Sequence, residues 1–215
     1  MEQLKKFFMI LCLSALVIVN GGCSKDKPNN IIDPDKIDEN GDGRGWEFLK
    51  VGNKWEYKST TDIVEYPQYI WTDEIEKIKK SFDYPNTDKI ALEEHHYWYV
   101  TDNAFYIDGW NIYNDFPLIY KNCKVGQTWY YKFNNEIGLN NKIEDKITRT
   151  VLSINELVEV PAGTFDNCVK IRETVSRNNK IYIDYYFSYK YGLIKKDDNW
   201  DDERNIDELI SKNFQ

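Results

Sequence analysis

Several groups of side chains in this 215-residue chain have types and spacings that could do chemistry. Asp38, Asn40 and Asp42 place oxygens at alternate positions, with Gly43 sixth, as in the opening of a calcium loop. The twelfth position, where a bidentate carboxylate closes such a loop, is Leu49, so a solvated acidic linker is the plainer reading. Asp197 to Glu203 is the densest acidic run and could hold calcium beside Trp200, though such runs are more often solvated loops. His95 and His96 are adjacent, so in a strand they face opposite sides and cannot chelate one metal together, even with Glu93 and Glu94 beside them. No nucleophile elbow and no phosphate-binding glycine loop occurs. Carboxylate pairs for glycoside hydrolysis depend on a three-dimensional separation that spacing does not reveal. No catalytic residue and no cofactor is assigned.

Aromatic residues offer binding rather than catalysis. Trp110, Tyr113 and Phe116 sit among Asn and Asp in a stretch too broken for a strand, and Trp200 sits in the acidic run. Exposed rings beside amides and carboxylates are what a sugar-stacking site needs, whereas a loop folded over the core is the structural alternative. Cys123 and Cys168 are the two cysteines that follow Cys23; they form a disulfide or are separately buried.

Cys23 carries the most specific signal. Lys5 and Lys6 precede an apolar run, Phe7 to Val19, interrupted only by Ser14. That run is too short to span a bilayer and suits a secretory leader. Gly21 and Gly22 then precede Cys23, and a polar stretch begins at once. The arrangement resembles a bacterial lipoprotein signal, in which the cysteine becomes the acylated N-terminus; Asn20 stands where an aliphatic residue is usual. Two or more acyl chains, palmitate among them, give stable membrane attachment. Ser24-Lys25-Asp26-Lys27 is similar to the charged signal of surface lipoproteins of the Bacteroidota type, with Lys27 where a second acid is usual. The expected organisation is a signal peptide over 1–22, a lipidated cysteine and flexible tether over 23–45, and a folded domain over 46–215. The expected location is the outer membrane, with surface display favoured over the periplasmic face.

Lys and Arg number 28 against 36 Asp and Glu, a net charge of −8. Such a balance repels phosphate backbones, so nucleic acid is not an expected partner; the membrane, through the lipid, is.

The elements that must position these groups read as strands. The chain holds 7 Trp, 16 Tyr and 10 Phe, concentrated after Trp46, and Ala is scarce, which favours a mainly β fold over a helical bundle. Val51-Gly52-Asn53-Lys54-Trp55-Glu56-Tyr57-Lys58 is echoed by Val125-Gly126-Gln127-Thr128-Trp129-Tyr130-Tyr131-Lys132. Each copy reads as a turn entering a strand with Trp and Tyr on one face, which fits either two equivalent core strands or a paired aromatic platform; the alternation favours the core. Residues 95–107 read as a hairpin turning at Asp102-Asn103. Residues 142–160 read as a long strand or a broken pair, Val160 to Gly163 as a turn, 165–177 and 180–189 as a hairpin turning at Asn178-Asn179, and 193–196 as a short strand. Residues 72–82 and 205–214 both show apolar residues at helical spacing, the first being undecided between helix and strand.

The run VPAGTFDNCVKI followed by YYFSYKYGLIK resembles a group of β-rich bacterial lipoproteins of the Bacteroidota type that share a Val-Gly-x-x-Trp-x-Tyr entry strand. The likeness spans Val51 to Phe214. It implies a single antiparallel, strongly curved sheet, half-barrel or sandwich-like, with a last strand over 205–214. It implies no reaction. The expected function is a lipid-anchored, non-catalytic binding or accessory module; the alternative is a glycan-active hydrolase or a glycan-binding surface lipoprotein.

Overall fold

The structure, a computed structural model, describes residues 45–62, 68–80, 88–92, 97–107, 116–137, 141–200 and 203–214. Twelve strands form one antiparallel sheet: β1 Lys54–Thr61, β2 Gln68–Lys80, β3 Asp88–Leu92, β4 Tyr97–Val100, β5 Ala104–Ile107, β6 Ile119–Tyr120, β7 Thr128–Ile137, β8 Asn141–Val160, β9 Gly163–Val175, β10 Asn178–Ser188, β11 Gly192–Trp200 and β12 Glu203–Asn213. Their order is β6-β5-β4-β3-β2-β1-β12-β11-β10-β9-β8-β7. Two meanders, β1 to β6 and β7 to β12, are therefore joined where the first strand pairs with the last. No helix occurs among the described residues.

Each meander opens with one copy of the repeated segment, and the two copies are built alike. Asn53 N–H donates to Lys50 O at 3.0 Å, and Gln127 N–H donates to Lys124 O at 2.9 Å. Gly52 and Gly126 hold φ of 86° and 81° at the third turn position, where a side chain would be strained. The N–H groups of Gly52 and Gly126 donate to the carbonyls of Ile75 and Val151, and the N–H groups of Ile75 and Val151 donate back to the carbonyls of Asn53 and Gln127. Trp55 (0% exposed) and Trp129 (6%) both point into the core, so the echo marks two equivalent core strands.

The sheet curls until its edges, β6 and β7, approach each other, but no backbone ladder joins them. Side chains bridge the seam instead. Trp129 Nε1 donates to Pro117 O at 2.8 Å, and Arg149 donates to Phe116 O at 3.2 Å and Pro117 O at 2.7 Å. β6 has only two residues, and Pro117 before it has no N–H to extend the pairing. The sheet is thus curved and open. Bulges on β2, β8, β11 and β12 add to the bend.

Strand is found at both segments with helical spacing: the undecided one is strand as far as Lys80, and the strand expected over 205–214 is present. Residues 68–80 are β2 because both backbone edges of Ile75 are used: the Val-Gly turn takes one and Leu92 of β3 lies across the other. The strand over 205–214 is β12. The hairpin turn expected at Asn178-Asn179 lies at Ser176-Arg177, because Ser176 is tied to β8: its N–H donates to Lys146 O and its Oγ accepts from Lys146 N–H, both at 2.8 Å. The short strand over 193–196 extends to Trp200, so Asp197 and Asp198 are strand residues rather than a solvated loop.

The concave face is divided. At the end holding the β4–β5, β6–β7, β8–β9 and β10–β11 turns, hereafter the turn end, it is filled by the chain's own rings. The segment before β1 inserts Trp46, Phe48 and Leu49, all buried. Phe48 lies edge-on to Trp55, Trp98, Phe105 and Phe187, with centroids 5.4 to 6.4 Å apart. The tip of the β8–β9 hairpin folds across, and Ala162 N–H donates to Leu209 O at 3.0 Å.

Candidate functional site

Toward the opposite end, the concave face becomes polar. β11 places Lys196, Asp198 and Trp200 on this face by simple alternation, while Lys195, Asp197 and Asn199 face outward. Across the ladders, Asp198 lies opposite Asn205 of β12 and Ile183 of β10, and Lys196 lies opposite Tyr185 and Asp207. Further round, Arg149 of β8 pairs with Glu173 of β9, with N···O 2.7 Å for both Nε and Nη2. On the other flank Ser59 donates to Asp207, and Trp71 Nε1 donates to Ser59 Oγ at 3.1 Å. Trp71 stacks on Tyr57 at 4.2 Å and 20°.

These groups share one electrostatic environment. Asp198 accepts from Lys196 at 3.0 Å through Oδ2. Burial raises its pKa; Lys196 counters this, and Glu173 and Asp207 add to the rise. Burial works to lower the Lys196 pKa, but Tyr185, Asp198 and Asp207 outweigh it and Lys196 stays charged, its pKa raised. Burial and the Glu173 charge keep the Tyr185 hydroxyl protonated, and thus a donor. Asp198 Oδ1 and Asn205 Oδ1 are buried and have no hydrogen-bond partner. Two buried acceptors on paired residues of β11 and β12, left unsatisfied, are costly unless something supplies donors to them. Trp200, two residues beyond Asp198 on the same face, is 45% exposed at the rim.

The predicted site residues divide accordingly. Trp200 is exposed and adjoins the polar basin. Phe116 is 4% exposed, a correction to its reading as a ligand-facing ring: it lies under the Arg149 guanidinium, 4.2 Å from its ring centroid, at the β6–β7 seam. Trp110 and Tyr113 lie outside the described residues, as do Cys23, the calcium candidates Asp38, Asn40 and Asp42, and the pair His95 and His96. Among the described residues no cluster of three or more His, Cys, Asp or Glu is placed to hold a metal. The acidic run is split between faces: Asp197 turns outward and forms a fork with Arg204 at 2.8 and 2.6 Å, while Asp198 turns inward.

Cys123 and Cys168 are buried free thiols, so separate burial replaces the disulfide reading. Cys123 Sγ lies 3.3 Å from Tyr189 Oη, which donates to Tyr120 O. Burial, with Asp166 and Glu156 nearby, pushes the Cys168 thiol up to about 12, so it is unreactive at neutral pH.

Sequence reasoning missed Arg149, Glu173, Tyr185, Lys196, Asn205 and Asp207. A signal was present in the alternation of Lys196, Asp198 and Trp200 with their neighbours, but it became readable only once Leu193 and Ile194 were known to face the core.

The fold and basin together define an all-β protein built on one open, curled antiparallel sheet, with an aromatic half and a polar half to its hollow. Similar solved structures include an inferred lipoprotein from Parabacteroides distasonis (12% identity, covering 76% of this chain and 96% of that one, TM-score 0.48). Others are an inferred exported protein with a YmcC-like fold from Bacteroides fragilis (11%, 77% and 97%, TM-score 0.44) and the hypothetical lipoprotein YmcC from Escherichia coli (10%, 75% and 88%, TM-score 0.39). No family model and no curated sequence matches the chain.

Proposed function

We propose that the chain is a surface-displayed, outer-membrane lipoprotein, acylated at Cys23, whose β domain is a non-catalytic module that binds a hydroxyl-rich ligand of the glycan class. One observation carries the ligand reading: the exposed Trp200 lies two residues along the same strand face from Asp198, whose Oδ1, like Oδ1 of its ladder partner Asn205, is buried and lacks a donor. A sugar supplies an apolar face for the ring and hydroxyl donors for the oxygens. The runner-up occupant of a curved sheet, a lipid or apolar peptide, needs an open apolar groove, and Trp46, Phe48 and Leu49 fill the apolar half.

Binding is tested on a panel of soluble oligosaccharides by calorimetry. Trp200→Ala and Asn205→Ala are each expected to weaken it about ten-fold, with the fold intact, as a lost stacking contact or hydrogen bond of about 1 kcal/mol or more implies. Affinity unchanged in both variants would refute the site. A raised pKa at Asp198 beside other carboxylates is also what a general acid needs. Glycan turnover abolished by Asp198→Asn would therefore replace the binding reading with the hydrolase one.

Anchoring is tested separately. Wild type is expected in the detergent phase after partitioning and Cys23→Ala in the aqueous phase; equal partitioning of the two would defeat lipidation.

A further inference from the structure

One point of the β11–β12 ladder is short of a hydrogen. Asp198 and Asn205 are ladder partners, and Lys196 and Asp207 form the next pair on the same face. Residues directly across an antiparallel ladder have Cβ atoms about 5 Å apart. Each member of the first pair spends one terminal atom on the second pair. Asp198 Oδ2 accepts from Lys196 Nζ at 3.0 Å, and Asn205 Nδ2 donates to Asp207 Oδ1 at 3.3 Å. The atoms left over are the two Oδ1 oxygens, both buried and both acceptors. Turning the Asn205 amide over does not help. It would set Asn205 Oδ1 against Asp207 Oδ1, which already accepts from Ser59.

The charges around Asp198 favour a proton there. On β12, the buried Asp207 repels a second negative charge. On β9, Glu173 does the same, although Arg149 of β8 is bonded to it at 2.7 Å and offsets part of its field. On β10, Ile183 lies across from Asp198 and the protonated Tyr185 across from Lys196, so neither adds charge. Lys196 of β11 favours the carboxylate but also serves Asp207. β1 contributes only the Ser59 hydroxyl, and Glu203 lies at the rim opposite Trp200. Burial, aided by the two carboxylates, outweighs Lys196 and raises the Asp198 pKa.

We propose that Asp198 and Asn205 form a proton site that competes with the ligand. In acid, Asp198 takes a proton from water on Oδ1 and donates it to Asn205 Oδ1, which satisfies both oxygens. As the pH rises the proton returns to water, and the two oxygens take the ligand's hydroxyls instead. Ligand capture therefore strengthens toward neutral pH and releases in acid. The competition rests on the glycan-binding reading; the proton site does not.

The first test needs no ligand. The side-chain carboxyl carbons of Asp197 and Asp198 are followed with pH by NMR in the full chain, labelled at aspartate and solubilised in detergent. Asp197, held by the Arg204 fork on the outer face, is the internal reference. Its midpoint is expected below the ordinary aspartate value of about 3.9, and that of Asp198 above it. Asn205→Ala removes the acceptor for the proton and should lower the Asp198 midpoint. Asp198→Asn puts a permanent amide donor in the proton's place. A proton held more tightly by the folded than by the unfolded chain stabilises the fold below the unfolded pKa, and that contribution is lost as the pH rises through the folded one. The gain in urea midpoint of Asp198→Asn over wild type should therefore grow from acid to neutral pH. An Asp198 midpoint at or below the ordinary value, or one unmoved by Asn205→Ala, would overturn the proton site, as would a gain independent of pH. Competition is read by calorimetry with cello-, malto- and chito-oligosaccharides, whose capture is expected to be weaker in mildly acidic than in neutral buffer. Equal affinity in both would overturn the competition. No capture in either would overturn it together with the ligand reading, while the ligand-free titration decides the proton site by itself.

Discussion

Trp55→Ala is expected to destabilise the domain by about 3–5 kcal/mol, the range for deleting a buried tryptophan, measured as a lower midpoint in urea. The ring is fully buried and meets Trp98 at 5.4 Å, Phe214 at 5.2 Å and Phe48 at 6.1 Å, each edge-on. Alanine leaves a void bordered by rigid rings, which collapse poorly around a cavity. It also removes the Nε1 donor to Tyr191 O at 2.7 Å, stranding a carbonyl at the β10–β11 turn. Because Trp55 joins β1, the inserted Trp46–Leu49 segment and the C-terminal Phe214, the loss spreads across the junction of the two meanders. Phe at this position should recover part of the loss by filling the void, though not the hydrogen bond. An effect under about 1 kcal/mol would mean that the ring is not core.

Arg149→Ala is expected to cost a comparable about 3–5 kcal/mol, for a different reason. Arg149 and Glu173 form a pair in which each side chain is 12% exposed. Removing the cation leaves the Glu173 carboxylate buried without its partner, and breaking a buried pair costs more than the pair itself contributes. The guanidinium also holds the carbonyls of Phe116 and Pro117 and lies on the Phe116 ring. The seam between β6 and β7 has no ladder, so hydrogen exchange at Leu118 to Tyr120 should accelerate more than elsewhere in the sheet. Replacing both partners, as Arg149→Met with Glu173→Met, should recover much of the loss in global stability. Seam exchange should stay fast, because methionine cannot bond the two carbonyls. Uniform acceleration across all strands would show that Arg149 is not specific to the seam.

The helical spacing of the two segments 72–82 and 205–214 is one that bulges imitate. Ile75 and Ile78 are three apart, which on an unbroken strand would face opposite sides. An irregularity between Ile75 and Lys77 resets the alternation, so that Ile75 is buried and Ile78 packs against the same core. In β12 the register steps from Leu209 to Ser211 across the bulge at Glu56 and Tyr57, which gives 209, 210 and 214 their helical look. A period of 3 or 4 in a strand-rich chain can thus mark a bend.

The aromatic alternation and the two Val-Gly turns determined, from sequence alone, that β1 and β7 open with core tryptophans in an antiparallel sheet. These signals survive because a turn needing positive φ and an alternation of period two are local properties. Only the tertiary structure decided which charged residues face the hollow. The acidic run read as one solvated cluster, yet Asp197 and Asp198 stand on opposite faces, one locked to Arg204 outside and the other beside Lys196 within. The same holds for the seam, where Phe116 lies under Arg149, and for the polar basin, drawn from residues as distant as Ser59 and Asp207. The physical reason is register. A one-residue slip reverses the face of every side chain, and register is set by partners tens of residues away rather than by neighbours along the chain.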